Sequence, residues 1–481
     1  MASSPCQRTN PNPNNSLPRV LRIGMQRPRS LYSAPFMRWL LIGLLALAPS
    51  IAALGAKRPP NVLLVMADDV GYECFGAYGS RQYSTPRINK LADGGVRLTN
   101  CFSTPLCTPS RVALMTGMSN VRNYADFGVL LPDQYTIADL FREAGYATAV
   151  AGKWQLQGSQ NAPGVPAGDG FDTYCLWNTG NTERRRFWNP SIECDGEIID
   201  VAEDDYGPDI FTDFLLEFIE ANQDQPFFAY YPMALVHSPF LPTPHSSDRS
   251  SEDEQRNFED MVAYTDFIVG RLQDRLEALG LLRNTVFVFT SDNGTHHDLA
   301  SQLGGASILG DKGAPTDAGT HVPLVVNAPG LIKGGRVLDD LIDFVDFLPT
   351  VAEAVGLGLP KKIESDGVSF WPRLLGQPGQ PREWLYTYYF PRPFAEEFAS
   401  PYTNPEVAYV RDKRYKLYRG GELFDLRTDP DETSPMDISG SESKAVRDKL
   451  QSALDSMPAA GERIPPERGE ASKTAARPRW R

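Results

Sequence analysis

The sequence predicts an α/β fold in which helices sandwich a large, mostly parallel mixed sheet, with a smaller antiparallel sheet near the C-terminus. Continuous apolar runs such as Asn61–Ala67 and Thr285–Thr290 are typical of strands that are buried on both faces. Helical segments alternate with these runs, as they do in open α/β sheets. From about Pro381 the chain changes to short tyrosine-rich strands, which predict the small sheet.

Capping residues and glycines mark the predicted helices. Thr85 and Pro86 begin a short helix that Gly94 ends, and Thr136 begins another that stops at Gly145. Three further predicted helices are Asp209–Asn222, Glu252–Leu279 and Asp343–Gly356. The predicted strands of the large sheet are Asn61–Ala67, Val96–Ser103, Tyr146–Ala151, Pro226–Leu235, Thr285–Thr290 and Val322–Asn327.

Length and charge limit the class of protein. A chain of 481 residues is longer than one hydrophobic core usually supports, so we expect one large domain and one smaller domain. The formal net charge of the whole chain is −13. Residues 1–56 hold six arginines and no acidic residue. Without this segment, 41 of the 47 basic residues remain against 60 acidic ones, and the net charge is −19. Such an acidic body argues against nucleic acid as a partner, and an anionic substrate needs a local basic pocket.

The first 56 residues predict an over-called start followed by a signal peptide at about residues 37–56. Trp39–Gly55 is uncharged, follows Arg38 and ends in small residues, as secretory signals do. Seventeen residues are short for a membrane span, although an uncleaved anchor stays open as an alternative. We therefore expect an exported protein (periplasmic, secreted or in a lysosome-like compartment) without stable membrane insertion once the signal is removed.

The cysteines allow disulfides in an oxidising compartment. Cys6 lies in the segment that is removed, and Cys107 is set aside for the reasons given below. The remaining four are enough for two disulfides, with three pairings open. They are Cys74, Cys101, Cys175 and Cys194.

Cys107 begins the segment Cys-Thr-Pro-Ser-Arg, where a loop turns into a helix. Pro109 suits the first helical position, which places Cys107 just before the helix N-terminus. The free N–H groups and the dipole there favour an anion, so one interpretation is a reactive thiolate. For a lone cysteine the commoner alternative is a small apolar residue under a loop.

Polar side chains follow four of the predicted strands. Asp68 and Asp69 follow the first strand, and Asp292 and Asn293 follow Thr285–Thr290. Carboxyl ends of strands in open α/β sheets are where ligands bind, and these oxygens suit a hard cation. Adjacent aspartates are also common in solvated turns. Two further strands lead to Lys153 and His237, whose ordinary alternatives are a snorkelling surface lysine and a structural histidine.

Cys-Thr-Pro-Ser-Arg followed by Met-Thr-Gly resembles the signature of the type I sulfatases, which belong to the alkaline-phosphatase-like superfamily. Other segments resemble that family in the same order along the chain, over roughly Asn61 to Glu432. They are Asp68-Asp69, Gly152-Lys153-Trp154-Gln155-Leu156, His237-Ser-Pro, Asp292-Asn293-Gly294, Lys312 ahead of Val322-Pro323, and GELFDLRTDPDE near the C-terminus. The resemblance implies an alkaline-phosphatase-like fold and a formylglycine-dependent, arylsulfatase-like enzyme.

The resemblance also implies the cofactors and the site residues. A formylglycine-generating enzyme oxidises the family's cysteine, so Cys107 becomes 3-oxoalanine (formylglycine), and one Ca²⁺ ion is bound. The implied metal ligands are Asp68, Asp69, Cys107, Asp292 and Asn293. The implied catalytic residues are Cys107, Arg111, Lys153, Gln155, His237, Asp292 and Lys312.

These residues receive roles by the same resemblance. A hydroxyl of the hydrated aldehyde attacks sulfur after Asp292 takes its proton, and the second hydroxyl later expels sulfate. Arg111 stabilises the position of the hydrate, Lys153 and Lys312 hold sulfuryl oxygens, and His237 protonates the departing alcohol. The expected reaction is hydrolysis of a sulfate ester to an alcohol and inorganic sulfate.

Gln155 departs from the family pattern, which has histidine at this position. An amide can orient the hydrate by hydrogen bonds but cannot act as a base. Three outcomes follow from the missing base. Asp292 or water takes the proton instead, the pH profile of activity loses one limb, or the protein binds its substrate without turnover. We favour activity because the other matched positions keep their chemistry.

The substrate predicted from these features is a sulfated small molecule or glycan. The loop Asn181–Pro190 combines arginines with aromatic residues, and Arg184, Arg185 and Trp188 are interpreted as a grip on a sulfated sugar, with a solvated loop as the alternative. Two other functions stay open: a formylglycine-dependent phosphodiesterase or phosphonate monoester hydrolase, and a non-catalytic binder of sulfated glycans. The expected organisation is a catalytic domain at 57–378, an antiparallel subdomain at 379–457 and a flexible tail at 458–481.

Overall fold

A ten-stranded mixed sheet forms the centre of this computed structural model, which describes residues 58–125, 127–132, 134–156, 165–178, 185–361, 363–390 and 406–459. The strands up to residue 343, in chain order, are β1 (Asn61–Ala67), β2 (Val96–Phe102), β3 (Ala147–Gly152), β4 (Thr173–Trp177), β5 (Ile192–Cys194), β6 (Glu197–Ile199), β7 (Phe227–Pro232), β8 (Thr285–Ser291), β9 (Ala300–Leu303), β10 (Ala306–Leu309), β11 (His321–Asn327) and β12 (Arg336–Asp343). Across the sheet the order is β12-β2-β11-β8-β1-β7-β3-β4-β5-β6, while β9 and β10 form a separate hairpin.

The central strands run parallel, so their carboxyl ends meet at one edge. Strand β1 is parallel to both β7 and β8, and β3 is parallel to β7 and β4. All seven residues of β1 are buried. Val62 and Leu64 pack into the core on one face of the sheet, and Leu63 and Val65 pack into the core on the other. Burial on both faces is the physical reason for the continuous apolar sequence.

Helices cover both faces of the sheet. They are α1 (Pro86–Asp93), α2 (Cys107–Thr116), α3 (Asn120–Asn123), α4 (Ile137–Glu143), α5 (Val165–Gly168), α6 (Gly207–Ala221), α7 (Glu254–Ala278), α8 (Asp317–Thr320), α9 (Phe347–Ala354), α10 (Trp371–Leu374) and α11 (Ser441–Ser456), with 3₁₀ turns at Tyr72–Cys74, Gly76–Tyr78, Leu282–Asn284 and Phe344–Asp346. Buried side chains of α1, α6 and α7 contribute to one core, and those of α2, α4 and α9 to the other. The predicted α/β sandwich is confirmed.

The antiparallel sheet near the C-terminus is also confirmed. Its strands β13 (Leu385–Tyr389), β14 (Val407–Arg411), β15 (Tyr415–Tyr418) and β16 (Leu423–Asp425) pair in that order. Leu450 and Leu454 of α11 pack against Val410 and Leu417 of this sheet. Helix α11 is not evident from the sequence, because its many charged and serine residues leave a narrow apolar stripe.

The predicted boundaries differ from the observed ones in places with identifiable causes. Strand β12 was not predicted, because Asp339 and Asp340 interrupt its apolar pattern at the edge of the sheet. The predicted helix Asp343–Gly356 is divided into a 3₁₀ turn and α9, and Asp343 caps the turn by accepting a hydrogen bond from the Val345 N–H. The strand predicted at Pro226–Leu235 ends at Pro232.

One disulfide joins neighbouring strands. Cys175 of β4 is bonded to Cys194 of β5, its partner in the sheet register. Cys74, Cys101 and Cys107 are buried free thiols. A second bridge between Cys74 and Cys101 does not form, because these two side chains lie in cores on opposite faces of the sheet.

Some predicted segments lie outside the described residues. These are the start and signal segment at residues 1–56 and all but the first two residues of the tail at 458–481. Within the part of the chain that the structure describes, no helix has the length and apolar character needed to cross a membrane.

Candidate active site and metal centre

The carboxyl ends of four adjacent strands bring the candidate residues together. Asp68 and Asp69 follow β1, and Asp292 follows β8 beside it. His237 follows β7 on the other side of β1, and Lys153 follows β3. Backbone hydrogen bonds hold these ends in register: Asp292 N donates to Ala67 O at 3.1 Å, and Asp68 N donates to Leu235 O at 2.8 Å. Parallel pairing of the strands therefore brings residues that are distant in the sequence together in one site.

Three buried carboxylates form the centre of this site. The ligand oxygens of Asp68, Asp69 and Asp292 all lie within 4.8 Å of one another. The backbone N–H of Asp69 donates to Asp292 Oδ1 at 3.1 Å, and Asp69 itself has φ of +60°, in the left-handed region that aspartate tolerates. Carboxylates this close and this buried repel one another, so they need cations around them.

Each carboxylate has a basic partner. Lys153 Nζ lies 2.8 Å and 2.7 Å from the two carboxylate oxygens of Asp68. Arg111 donates to Asp292 Oδ2 from Nε at 3.1 Å and from Nη2 at 2.6 Å. Lys312 Nζ donates to Asp69 Oδ2. The cations thus arrive from α2, from the end of β3 and from the loop before α8.

Burial and charge set different pKa values for the two adjacent aspartates. Burial raises the pKa of Asp68 to about 7, against the opposing effect of Lys153 and with the help of Asp292 and Asp69. Burial would also raise the pKa of Asp69, but His237, Lys312 and Lys153 outweigh it and lower that pKa. Of these two adjacent aspartates, Asp69 is therefore the one whose charged form the surroundings favour.

Asn293 completes a set of oxygen ligands suited to a hard cation. Its Nδ2 donates to Asp69 Oδ1 at 2.9 Å and to the Gly294 carbonyl at 3.0 Å, which fixes the side-chain amide. Its Oδ1 is buried and has no hydrogen-bond partner among the described residues. A buried acceptor without a donor is costly unless a ligand satisfies it. Three carboxylates and this oxygen therefore fit calcium.

Cys107 lies within this cluster, at the start of α2. The helix begins at Cys107 itself, not after it as predicted, and Leu106 is the extended residue before it. Arg111 lies one helical turn further along and shares a face with Cys107. Burial raises the pKa of the Cys107 thiol, and the nearby Asp292 and Asp68 raise it further against Lys153 and Lys312. For the unmodified side chain, this raised pKa disfavours the thiolate form.

His237 and Lys312 form a pair beside Asp69. His237 Nε2 lies 3.3 Å from Lys312 Nζ and 3.5 Å from Asp69 Oδ2. The other ring nitrogen, Nδ1, lies 2.7 Å from the Ser238 carbonyl oxygen. If Nδ1 donates to that carbonyl, Nε2 is an acceptor for Lys312. Burial lowers the pKa of His237 well below its usual value, and Arg186 lowers it further.

Comparison with known proteins decides the family. The Sulfatase family model matches residues 60–357, and the model "N-sulphoglucosamine sulphohydrolase, C-terminal" matches residues 309–460. Arylsulfatase A of Homo sapiens is 32% identical over an alignment of 423 residues, and the alignment covers 80% of each chain. This chain belongs to the sulfatase family. It is therefore a sulfuric ester hydrolase, as the sequence analysis predicted.

Further relatives and solved structures are similar to this sulfatase. N-acetylgalactosamine-6-sulfatase of Canis lupus familiaris is 29% identical over 70% of each chain. A solved protein of glycosaminoglycan metabolism from Bacteroides thetaiotaomicron covers 83% of this chain and 99% of its own, with a TM-score of 0.68 and 23% identity. A structure in complex with its substrate D-glucosamine-2-N,6-O-disulfate covers 83% of this chain and 97% of its own, with a TM-score of 0.66 and 22% identity. These last two likenesses establish the fold.

The sulfatase holds Gln155 in an unusual backbone conformation. Gly152 at the end of β3 has φ of +116°, and a Cβ there would collide with the Pro232 carbonyl oxygen, so the chain needs glycine to reach Lys153. Gln155 has φ of +56°, and its Oε1 is buried without a hydrogen-bond partner among the described residues. Such strain and such an unpaired acceptor are typical of functional positions.

The predicted sugar grip differs from what the structure places near the site. Arg184 lies outside the described residues, and Arg185 is exposed. Trp188 Nε1 donates to the Pro242 carbonyl at 2.8 Å, and Arg249 stacks on the ring with Cζ 4.1 Å from its centroid, so this side chain is already engaged.

Within the run of three arginines, the one that approaches the carboxylates is Arg186, which was not among the predicted site residues. Its Nη1 lies 3.9 Å from Asp68 Oδ2. The run of three arginines was the available signal, but only the tertiary structure tells which member of the run turns inward.

Proposed function

We propose that this sulfatase hydrolyses the sulfate ester of a sulfated carbohydrate to an alcohol and inorganic sulfate, with one bound Ca²⁺ and with Cys107 converted to formylglycine. The observation that carries the proposal is the convergence of Asp68, Asp69 and Asp292, each with a cationic partner, on the buried Cys107. A pocket that holds positive and negative groups in fixed positions suits an anion whose negative charge shifts to the leaving oxygen during the reaction.

Four side chains are proposed to hold the calcium ion, together with the modified residue 107. They are Asp68, Asp69, Asp292 and Asn293, and the unpaired Oδ1 of Asn293 supports the assignment. When bound, the ion supplies positive charge that stabilises negative charge on the sulfate oxygens. Formylglycine supplies a hydrated aldehyde, whose second hydroxyl allows sulfate to be released without leaving a sulfated side chain.

The basic side chains are proposed to bind and orient the sulfate. Lys153 and Lys312 each have a terminal ammonium at the carboxylate cluster, where they can donate to sulfuryl oxygens. Arg111, completely buried and bonded to Asp292, holds residue 107 and that carboxylate in a fixed relation. Asp292 is proposed to take the proton from residue 107, and Gln155 to orient the hydroxyls by hydrogen bonds.

The leaving oxygen is proposed to receive its proton from the His237 side of the site. Lys312 Nζ and His237 Nε2 are 3.3 Å apart, so a proton can pass between them along one hydrogen bond. His237 is also the less buried of the two, with 20% of its side chain exposed against 7% for Lys312. The alcohol portion of the substrate therefore lies toward His237.

The names of the relatives support the proposed substrate class, and a disulfide supports the proposed compartment. N-acetylgalactosamine-6-sulfatase is named for a sulfated sugar, and one solved neighbour holds a disulfated glucosamine. Arg185 and Trp188 remain candidates for contact with more distant parts of a glycan. We propose that the protein is exported and is matured by a formylglycine-generating enzyme. Export to an oxidising compartment agrees with the Cys175–Cys194 disulfide.

Side-by-side turnover tests the proposed reaction. Protein from the native host is offered a small aryl sulfate, a sulfated amino sugar and an aryl phosphodiester, and mass spectrometry identifies residue 107 in the same sample. We expect formylglycine at residue 107 and preferred hydrolysis of the sulfates. Preferred hydrolysis of the phosphodiester would support the phosphodiesterase alternative, and an unmodified thiol without turnover would support the non-catalytic binder.

A further inference from the structure

The charges around the three carboxylates do not balance. Lys153 pairs with Asp68, Lys312 with Asp69 and Arg111 with Asp292, so three cations already neutralise three carboxylates. Arg186 adds a fourth cation, with 13% of its side chain exposed, to the same cluster. An additional positive charge next to a site that also fits a divalent cation needs a further anion.

Arg186 is held in place by an aromatic ring. Its guanidinium carbon lies 4.3 Å from the centroid of the Trp177 ring, at the end of β4. The Trp177 position is next to the end of β3, because Gly152 pairs with Leu176 in the sheet. Stacking on Trp177 fixes the plane of the guanidinium and turns one of its edges toward Asp68.

That edge carries a donor without an acceptor. Arg186 Nη1 is buried and makes no hydrogen bond within the part of the chain that the structure describes. Its distance of 3.9 Å from Asp68 Oδ2 is too long for a hydrogen bond. Only 13% of the Arg186 side chain is exposed, so bulk water does not replace the missing acceptor.

The pKa directions distinguish Arg186 from its basic neighbours. The carboxylates raise the pKa of Arg111 and that of Lys312 despite the burial of both groups. Burial lowers the pKa of Arg186, because the attraction of Asp68 and Asp69 is too weak to compensate for it. Arg111 and Lys312 donate hydrogen bonds to carboxylates, whereas Arg186 has only a long ion pair of 3.9 Å with Asp68.

We propose that Arg186 binds the sulfate group of the substrate, with Nη1 donating a charge-assisted hydrogen bond to a sulfuryl oxygen. The inference deepens the proposed function and rests on it for the identity of the anion. A guanidinium matches a tetrahedral oxyanion geometrically, and the low exposure of the site strengthens the bond. Arg186 is thus a substrate-binding residue in addition to Lys153 and Lys312.

Sulfate binding by the variant Arg186→Gln tests the proposal independently of turnover. Calorimetric titration with inorganic sulfate is compared with product inhibition of aryl sulfate hydrolysis by sulfate. We expect both affinities to fall by about 10- to 100-fold, the range for losing one hydrogen bond between charged groups. Arg186→Lys keeps the charge and the apolar stem on Trp177, and we expect it to retain part of the affinity.

Arg97→Gln is the matched control. Arg97 also lies over an aromatic ring, 5.2 Å from the centroid of Tyr78, but it belongs to β2, which β11 separates from β8 and the site. We expect this variant to bind sulfate as the wild type does. Circular dichroism and thermal unfolding confirm that each variant is folded.

Two outcomes would overturn the inference. One is unchanged sulfate affinity in folded Arg186→Gln and Arg186→Lys. The other is unchanged hydrolysis of a small aryl sulfate with impaired hydrolysis of a disulfated sugar only, which would place Arg186 on a second anionic group. If the wild type binds sulfate through Arg186 but hydrolyses no sulfate ester, the proposed reaction is wrong and the binding inference stands.

Discussion

At the scale of single residues, the proposed chemistry of this sulfatase depends on Cys107. Burial raises the pKa of the Cys107 thiol, which is 2% exposed, so its environment disfavours the thiolate form. The cationic groups around it are arranged for an anionic ligand instead. This arrangement is intelligible if residue 107 acts after conversion to formylglycine.

Replacement of Cys107 by serine tests that dependence. We expect Cys107→Ser to fold normally and to lose turnover by more than about 10³-fold, because a serine that accepts a sulfuryl group has no second hydroxyl to expel it. Steady-state hydrolysis of an aryl sulfate measures the loss. Mass spectrometry of the peptide that contains residue 107 checks the mechanism, since a sulfated serine is expected there. Wild-type turnover by this variant would contradict the need for formylglycine.

Gln155 raises a separate question, because the family has histidine at its position. We expect Gln155→Ala to lower kcat by about 3- to 10-fold, the effect of losing one neutral hydrogen bond at the reacting group. The pH–rate profile of both proteins is the measurement. Gln155→Gly is the control for backbone strain, because glycine accepts the φ of +56° that alanine does not. Unchanged turnover and an unchanged pH profile in the alanine variant would remove any role for Gln155.

At the scale of elements, the small sheet supports the loop that carries Lys312. Arg411 of β14 pairs with Asp317 of α8, and its guanidinium carbon lies 3.7 Å from the centroid of the Phe102 ring at the end of β2. Lys416 of β15 donates to the Pro315 carbonyl and pairs with Glu432 at 2.7 Å. The C-terminal strands thereby contact the segments before Cys107 and after Lys312.

Removal of Arg411 is expected to destabilise this contact. Arg411→Met leaves Asp317 without its principal cation, at a cost of about 2 kcal/mol of unfolding free energy at neutral pH. Arg411, with His321 and Lys416, lowers the pKa of Asp317 against the effect of burial. The stabilisation from a lowered aspartate pKa is present above the unfolded-state pKa and is lost as pH falls through the folded-state pKa.

The measurement is therefore urea unfolding at several pH values. We expect the difference between wild type and Arg411→Met to be largest near pH 7 and to shrink below about pH 4. The double variant Arg411→Met with Asp317→Asn should be less destabilised than the single variants predict by addition. Additive effects and a pH-independent difference would contradict an ion pair between these two residues.

At the scale of the whole molecule, calcium binding and stability are expected to be linked. Three buried carboxylates from the ends of β1 and β8 share one site, so an ion that binds there joins the two central strands of the sheet. A ligand that binds only the folded state adds about 2.7 kcal/mol when its concentration is 100 times Kd. Chelation of calcium should therefore lower the unfolding midpoint together with the activity.

The variant Asn293→Ala tests whether Asn293 contributes to the link between calcium binding and stability. We expect the variant to lose most of the calcium-dependent rise in unfolding midpoint, measured by calorimetry with calcium and with a chelator. Asn327→Ala is the matched control, because Asn327 is a buried asparagine that donates to a backbone carbonyl, Leu91 O at 2.9 Å, at the other end of the sheet. The control should be destabilised equally with and without calcium. A full calcium shift in Asn293→Ala would exclude Asn293 as a ligand.

Local features of the sequence determined the fold class and the candidate residues of this sulfatase. Continuous apolar runs identify β1 and β8 because both faces of these strands are buried, and short motifs identify Asp68, Asp292 and Cys107 because their chemistry is carried by residue type and spacing. Edge strand β12 and helix α11 escaped prediction because their apolar patterns are weakened by the polar residues of exposed faces.

Tertiary structure alone decided which side chains meet and with what electrostatic result. Parallel pairing of β1 with β7 and β8 places Asp68 near residues that are more than 150 positions away in the chain. Stacking on Trp177, and not the run of arginines itself, selects Arg186 as the member that turns toward Asp68. Burial and neighbouring charges, which depend on all these contacts together, then raise the pKa of Cys107. The same packing leaves Arg186 Nη1 without a hydrogen-bond acceptor among the described residues.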